Sequence, residues 1–245
     1  MALYNTKPVF MLLVPFLMLH QNSDTRPYTN PLLTFQGDAF SSSGVIQLTM
    51  VQNGTIMRYS AGRATYALPV RLWDAKTGKV AGFTTTFSFE ILHGPNTGDG
   101  FSFFLAPFQS HIPQDSFGGY LGLFSPDSAL RRSNQNQIVA VEFDMHQNNW
   151  DPAFPHIGID INSISSVAMV PWENDLGLLT VFATVSYDPV AQNLSVVVSN
   201  GPTISHVIDI RTVLPEWVSV GFSGATGRLI EVHNILSWAF SSTFH

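Results

Sequence analysis

The stretch that decides the fold runs from Val139 to Ser163 and reads VAVEFDMHQNNWDPAFPHIGIDINS. Val141, Glu142, Phe143 and Asp144 alternate apolar and acidic residues, the period of a strand with one buried face. Glu142 and Asp144 therefore project from the same face. Asn148, Asn149, Asp151, Pro152 and Pro155 make a turn-rich loop, and a second alternating run from His156 sets Ile157, Ile159 and Ile161 on one side. Pairing of the two runs as neighbours predicts that Asp151 and His156 return beside Glu142 and Asp144. Carboxylates gathered this closely repel one another unless a counter-charge joins them, which points to a metal cage.

Two kinds of ion suit this set. Glu142, Asp144, Asp151 and His156 offer three carboxylates and one nitrogen, a donor set for a transition ion such as Mn2+. Asp144, Asp151, the Asn148 amide and a loop carbonyl offer oxygen alone, which suits Ca2+. A strand end with solvated surface acids would account for any of these residues singly, but not for the five at this spacing.

The stretch resembles the metal-binding core of the legume lectins: a Val-Ala-Val-Glu-Phe-Asp strand, Asn four residues past the Asp, Asp-Pro, then His-Ile-Gly-Ile-Asp. The resemblance extends from about Leu33 to Phe244. It implies that Glu142, Asp144, Asp151 and His156 hold Mn2+. It likewise implies Ca2+ on Asp144, Asn148, Asp151 and the backbone carbonyl of His146.

The composition is consistent with one large domain. A chain of 245 residues with 45% hydrophobic content can bury a sizeable core, and all-β domains of that length are often single. Charged residues make up 11%, and the net charge of −6 comes without a basic cluster. That balance argues against disorder and against a nucleic-acid partner. There is no cysteine, so neither a disulfide framework nor thiol chemistry enters.

Residues 1–23 read as a signal peptide. Lys7 precedes the apolar run Pro8 to Leu19, about the length of a secretory h-region and short for a membrane span. Residues 24–245 are then the mature domain, without a membrane span, on the secretory route and either secreted or vacuolar. Two sequons, at Asn53 (Asn53-Gly54-Thr55) and Asn193 (Asn193-Leu194-Ser195), would be available for glycosylation there.

From Leu33 onward the chain is short β runs separated by turns: Leu33–Phe35, Val45–Leu48, Gly62–Tyr66, Val70–Trp73 and Phe83–Phe89. Asn53-Gly54 is a hairpin dipeptide. No segment has sustained helical periodicity, and no linker or repeat divides the chain. The expected fold is all-β, an antiparallel jelly-roll β-sandwich of the concanavalin A-like lectin type. One departure from the family shows at the start. Its members carry an apolar first strand between the leader and Phe35-Gln36-Gly37-Asp38-Ala39, whereas here Asp24 to Pro31 includes two prolines, which cannot donate to a ladder. The first strand is expected to be shortened or missing, which would alter or weaken a homo-oligomer formed along that edge.

Three further pieces carry the expected sugar site. Gly98-Asp99-Gly100 opening an apolar run could be a capped turn, but it resembles the family segment whose Asp accepts two sugar hydroxyls after a cis peptide bond. Gly118-Gly119 could serve a tight turn or a close backbone approach, and the resemblance assigns the Gly119 N–H to the sugar. Asn148 would serve twice, its carbonyl oxygen on Ca2+ and its NH2 on the sugar. In the closing segment five residues separate Gly227 from His233, the short loop of the family's mannose/glucose type. By position Arg228 and Leu229 would offer backbone N–H groups, with a solvated loop charge the alternative for Arg228. His146 stands where the family has Phe or Tyr, so the surface that stacks on the sugar is smaller and more polar.

The resemblance implies a lectin with glycan or glycoprotein partners rather than an enzyme. Glu142 and Asp144 could in principle act as the acid and base of a glycosidase, but metal coordination would occupy both. A seed defence or storage protein on the same fold, with weak or no sugar binding, is the alternative.

Overall fold

The computed structural model describes residues 10–13, 32–93, 97–172 and 180–244. The expected leader apart from residues 10–13, and the proline-bearing segment 24–31, lie outside the described residues. The strands of the first half are β1 (Phe10–Leu13), β2 (Leu33–Gly37), β3 (Phe40–Ser42), β4 (Val45–Gln47), β5 (Val51–Gln52), β6 (Thr55–Ile56), β7 (Ala61–Tyr66), β8 (Val70–Arg71) and β9 (Ala81–His93). Those of the second half are β10 (Gly100–Pro107), β11 (Val139–Asp144), β12 (His156–Ile161), β13 (Ala168–Pro171), β14 (Val181–Asp188), β15 (Asn193–Val198), β16 (Thr203–Val207), β17 (Trp217–Ala225) and β18 (Glu231–Phe244). Among the described residues the helical content is two short 3-10 turns, Gly118–Tyr120 and Ile210–Thr212.

Two large antiparallel sheets stack face to face as a jelly-roll sandwich. One runs in the order β16-β15-β14-β9-β18-β4-β3 with β1 also on β18; the other runs β13-β12-β11-β10-β17-β7-β2 with β8 also on β17. β5 and β6 form a separate hairpin. Asn53 and Gly54 at its tip have φ of 50° and 75°, both in the left-handed region that the tight turn requires.

Alternation along the strands decides what lies between the sheets. Phe87 and Phe89 of β9, Phe101 and Phe103 of β10, Val141 and Phe143 of β11, Ile157 and Ile159 of β12 and Phe222 of β17 meet in one core. Phe101 and Phe143 stack with centroids 4.8 Å apart, and Phe87 meets Phe222 edge-on at 4.9 Å. Truncating such a fully buried ring costs about 3–5 kcal/mol. The second sheet is covered on its outer face too. Phe104, Ala106 and Ala140 pack there against Leu121, Leu123, Phe124, Ala129, Ile138 and Ile164, so β10 and β11 are buried on both faces.

Several expected elements shift at their ends. The strand over Phe83–Phe89 extends to Ala81–His93. The Val70–Trp73 run pairs only over Val70–Arg71, with Trp73 in a single bridge to Val80. The two closing strands β17 and β18 lie in different sheets, and β18 continues through a bulge between Ile235 and Ser237. Whether a strand forms over residues 24–31 lies outside the described residues; upstream, β1 is a four-residue strand inside the run read as a leader. It pairs Phe10 with Ser242 and Leu13 with Ala239, along the outer side of β18.

Candidate functional site

The acidic residues stand on the outer face of the second sheet because their neighbours take the inner one. In β11 Val141 and Phe143 face the core, so Glu142 and Asp144 face outward; in β12 His156, Gly158 and Asp160 do the same. The register sets Asp144 opposite His156 and Glu142 opposite Gly158. A Cβ at Gly158 would lie 2.4 Å from Glu142 Oε1, so only glycine leaves room for that carboxylate.

Glu142 is fully buried, and its Oε1 lies 3.0 Å from His156 Nε2. Glu142, Asp151 and His156 each present one ligand atom, all within 4.8 Å of one another. Asp144 Oδ1 accepts the His146 N–H at 2.7 Å, and Asp151 Oδ2 accepts the Asn148 N–H at 2.8 Å. These bonds draw the loop after β11 back over the cluster. Ser166 Oγ lies 2.6 Å from Glu142 Oε1 and 2.7 Å from Asp160 Oδ1. A hydroxyl carries one proton, so one of those two carboxyls must supply the other.

Electrostatics agree. Burial pushes the Asp144 and Asp160 carboxyls well above the usual range, and the Glu142 charge adds to it. Burial also raises Asp151 to about 6, the nearby Glu142 charge adding to this and the Asn148 N–H opposing it. Burial alone would lower the His156 imidazole, but its hydrogen bond to Glu142 and the Glu142 and Asp151 charges raise it on balance. Glu142 Oε2, Asp144 Oδ2, Asp160 Oδ2 and Asn148 Oδ1 are buried without a hydrogen-bond partner. Buried carboxylates left this way are costly. The donor set therefore fits a divalent cation.

The expected sugar residues gather beside this cluster. The Gly98–Asp99 peptide is cis. Asp99 is 4% exposed, so it forms a floor; its carbonyl accepts the Met145 N–H at 2.9 Å. A Cβ at Gly119 would lie 2.0 Å from Asn148 Oδ1, so the Gly119 backbone lies directly on the Asn148 amide. A Cβ at Gly118 would be 3.9 Å from both Asp99 oxygens, and one at Gly227 would be 2.8 Å from Asp99 Oδ2. Burial raises the Asp99 carboxyl to about 7, Glu231 and Asp151 adding to this while the Gly227 N–H and His233 oppose it. His146 and Leu229 both stand against Gly98, where a Cβ would be 3.0 Å and 3.1 Å from their own Cβ atoms. The Arg228 side chain is exposed. Asn53 is exposed at its hairpin tip, whereas Asn193 lies half-buried in β15 with its Nδ2 donating to Ser195 Oγ at 2.8 Å.

Three supports escaped the sequence reading. Asp160 could have been found, since it continues the His156 face by two steps of two. Arg63 is buried and its guanidinium donates to the carbonyls of Gly122 (2.7 Å), Leu123 (3.2 Å) and His111 (3.2 Å), which holds the loop that carries Gly119. Burial lowers it to about 9. Its arginine-to-loop contacts have no local pattern in the chain. A buried pair at the start of β18, with His233 Nε2 at 2.8 Å from Glu231 Oε1 and Thr49 beside the ring, underlies Asp99.

The site can hold cations, orient an amide and accept hydroxyls. Glu142 and Asp144 are 0% and 1% exposed and are turned into the acid cluster. Among the described residues no helix is long and apolar enough to cross a membrane.

The family model described as the legume lectin domain matches residues 24–245. Lectin 7 of Medicago truncatula is 50% identical, covering 98% of this chain and 97% of the relative. The mannose/glucose-specific lectin of Centrolobium tomentosum is 47% identical, covering 85% and 89%. The crystal structure of basic winged bean lectin with Tn-antigen superimposes with a TM-score of 0.82 at 40% identity, covering 98% and 99%.

Proposed function

This chain belongs to the legume lectin family of carbohydrate-binding proteins, and we propose that it is a Ca2+- and Mn2+-dependent lectin of the mannose/glucose type. The observation that carries this reading is the Gly119 backbone lying on the Asn148 amide, beside Asp99 and in front of the buried acid cluster. Glu142, Asp144, Asp151 and His156 would hold Mn2+; Asp144, Asn148, Asp151 and the His146 carbonyl would hold Ca2+. The ions supply positive charge that offsets the clustered carboxylates. Asn148 then keeps its oxygen turned inward and its NH2 outward. Asp99 accepts from sugar hydroxyls, and Gly119, Arg228 and Leu229 offer backbone N–H groups.

The sugar class rests on the loop after β17, where Thr226 to Ile230 are all that separate two strands. A relative named for mannose and glucose and another solved with Tn-antigen share the fold, so the fold does not choose between sugars. A second reading, a defence or storage protein with weak sugar binding, is favoured by His146, whose imidazole is a poor stacking face. Immobilised mannose and galactose resins separate these. Retention on mannose alone is expected; retention on galactose alone would overturn the sugar class, and retention on neither would favour the second reading.

Residues 1–23 are proposed to be a leader that sends the protein to the secretory route, with Asn53 the better-placed glycan acceptor. Removal of the leader takes β1 away from Ala239–Ser242 and leaves that edge of β18 open. Each ladder hydrogen bond contributes about 1 kcal/mol. A chain beginning at Asp24 is therefore expected to melt several degrees below the full chain, or to recover that loss by pairing β18 edges in a homodimer. Equal melting temperatures for two monomers would contradict this.

A further inference from the structure

The sheet that faces away from the acid cluster carries an ordered row of hydroxyls on its outer side. Residues paired across adjacent antiparallel strands point to the same face. Ser205 stands opposite Ser195, Ser195 opposite Ser186, Ser186 opposite Thr84 and Thr84 opposite Ser241. One row therefore crosses β16, β15, β14, β9 and β18. It faces outward, because the alternating neighbours Leu194, Val196, Val185, Phe83 and Phe240 fill the core.

Over β14, β9 and β18 this face sinks into a slot of about 440 Å³, the size of a small-ligand site. Thr84, Ser186, Ser241 and Thr243 line it with hydroxyls, and the turn after β14 makes one wall. Asp188 Oδ1 holds that wall by accepting the N–H groups of Val190 and Ala191 at 2.8 Å and 3.1 Å. Among the described residues that line the slot, Asp188 alone is charged. Hydroxyls both donate and accept, so the lining suits a neutral ligand dense in hydroxyls.

A source of such a ligand lies on the next strand. The sequon Asn193-Leu194-Ser195 sets its Asn opposite Asp188 and its Ser opposite Ser186, and both partners line the slot. Strands lie about 4.8 Å apart, so β18, the far side of the slot, is about 14 Å from Asn193. The first few sugars of an attached glycan span that distance. Asn193 Nδ2 has two protons and spends one on Ser195 Oγ at 2.8 Å, which leaves the other for replacement.

We propose that Asn193 carries an N-linked glycan whose first sugars lie in this slot. Transfer joins the anomeric carbon of the sugar to Asn193 Nδ2, breaks that carbon's bond to a lipid-linked pyrophosphate and releases one amide proton. It precedes the pairing of β15, since Asn193 is half-buried once the sheet has formed. The sugar hydroxyls then bond to Thr84, Ser186, Ser241 and Thr243, and the glycan shields this face from a second chain. The site rests on the secretory route proposed for residues 1–23, and the exposed Asn53 is its control.

The full chain is expressed in a plant-cell host and digested without denaturant by an endoglycosidase, with each sequon followed by peptide mass mapping. Both sequons are expected to be occupied. Asn193 should be cut at least about tenfold more slowly than Asn53, the range of one or two hydrogen bonds. Both should be freed equally after denaturation. Thr84→Ala combined with Ser186→Ala removes two hydroxyls of the slot and keeps the sequon, and release at Asn193 should then approach that at Asn53. An empty Asn193 beside an occupied Asn53 overturns the site, whether the face is then bare or covered by a second chain. Equal native rates, or slow release that persists in the double variant, overturn the slot as the seat of the glycan. Glycan at neither sequon overturns the secretory route, and this site with it.

Discussion

Asp144→Asn is expected to lose at least about 100-fold in glycan affinity and yet to melt higher than the metal-free wild-type protein at pH 7.5. The two effects have one cause. Asp144 is buried beside Glu142 and Asp151 and is pushed well above the usual carboxylate range. Its charge is costly unless a cation offsets it. Asparagine keeps an oxygen for the His146 N–H, now 2.7 Å from Asp144 Oδ1, while removing the charge and a shared ligand for both ions. The pH dependence follows with a definite sign. Asp151 titrates near 6 and Asp99 near 7 in the folded chain, against 3.8 for an ordinary Asp. Between those values the folded state holds more protons than the unfolded one, so metal-free stability falls as pH rises from about 4 to 7. With Ca2+ and Mn2+ saturating, the fall should vanish or reverse, because the ionised carboxylates are then the bound form. A melting series from pH 4.5 to 7.5, with and without the ions, reads this directly. A metal-free melting temperature that rises over that range would contradict it.

Gly119→Ala should be nearly as damaging to binding and nearly harmless to the fold. The added methyl would sit 2.0 Å from Asn148 Oδ1 and 2.5 Å from its Cγ, far inside contact distance. The Asn148 amide is the softer partner and must swing away, and with it the oxygen and NH2 proposed above to serve the cation and the sugar. Gly119 itself is buried within a 3-10 turn held by the Leu121 N–H on Gly118, so the backbone tolerates alanine. Binding is expected to drop below detection by calorimetry, with the melting temperature of the metal-free protein within a few degrees of wild type. Unchanged affinity would mean that Asn148 plays no part.

The acid cluster was legible because its logic is local. Two alternating strands and the loop between them span only Val139 to Ile161, and antiparallel pairing alone returns Asp144 to His156. The sandwich was legible for a similar reason, since apolar alternation recurs in strand after strand. Long-range supports were not. Arg63 reaches carbonyls about sixty residues away, Thr49 meets Glu231 across 182 residues, and Tyr59 finds Phe117 only after the loops close. No local period announces such meetings, because tertiary packing creates them. The expected loss of a strand over 24–31 lies outside the described residues, and the run Pro8 to Leu19, read as a leader, contributes residues 10–13 to the edge of β18, since leader and edge strand both need apolar residues.

The central claim is that cations behind Asn148 set the sugar site, and titration of methyl α-mannoside into one protein sample in three states tests it most directly. The sample is measured as purified with Ca2+ and Mn2+, after chelation at about pH 5 and exchange to neutral buffer, and after both ions are restored. Binding in the first state, none in the second and full recovery in the third is the expected pattern. Equal affinity in the chelated sample, with metal content verified as nil, would contradict it.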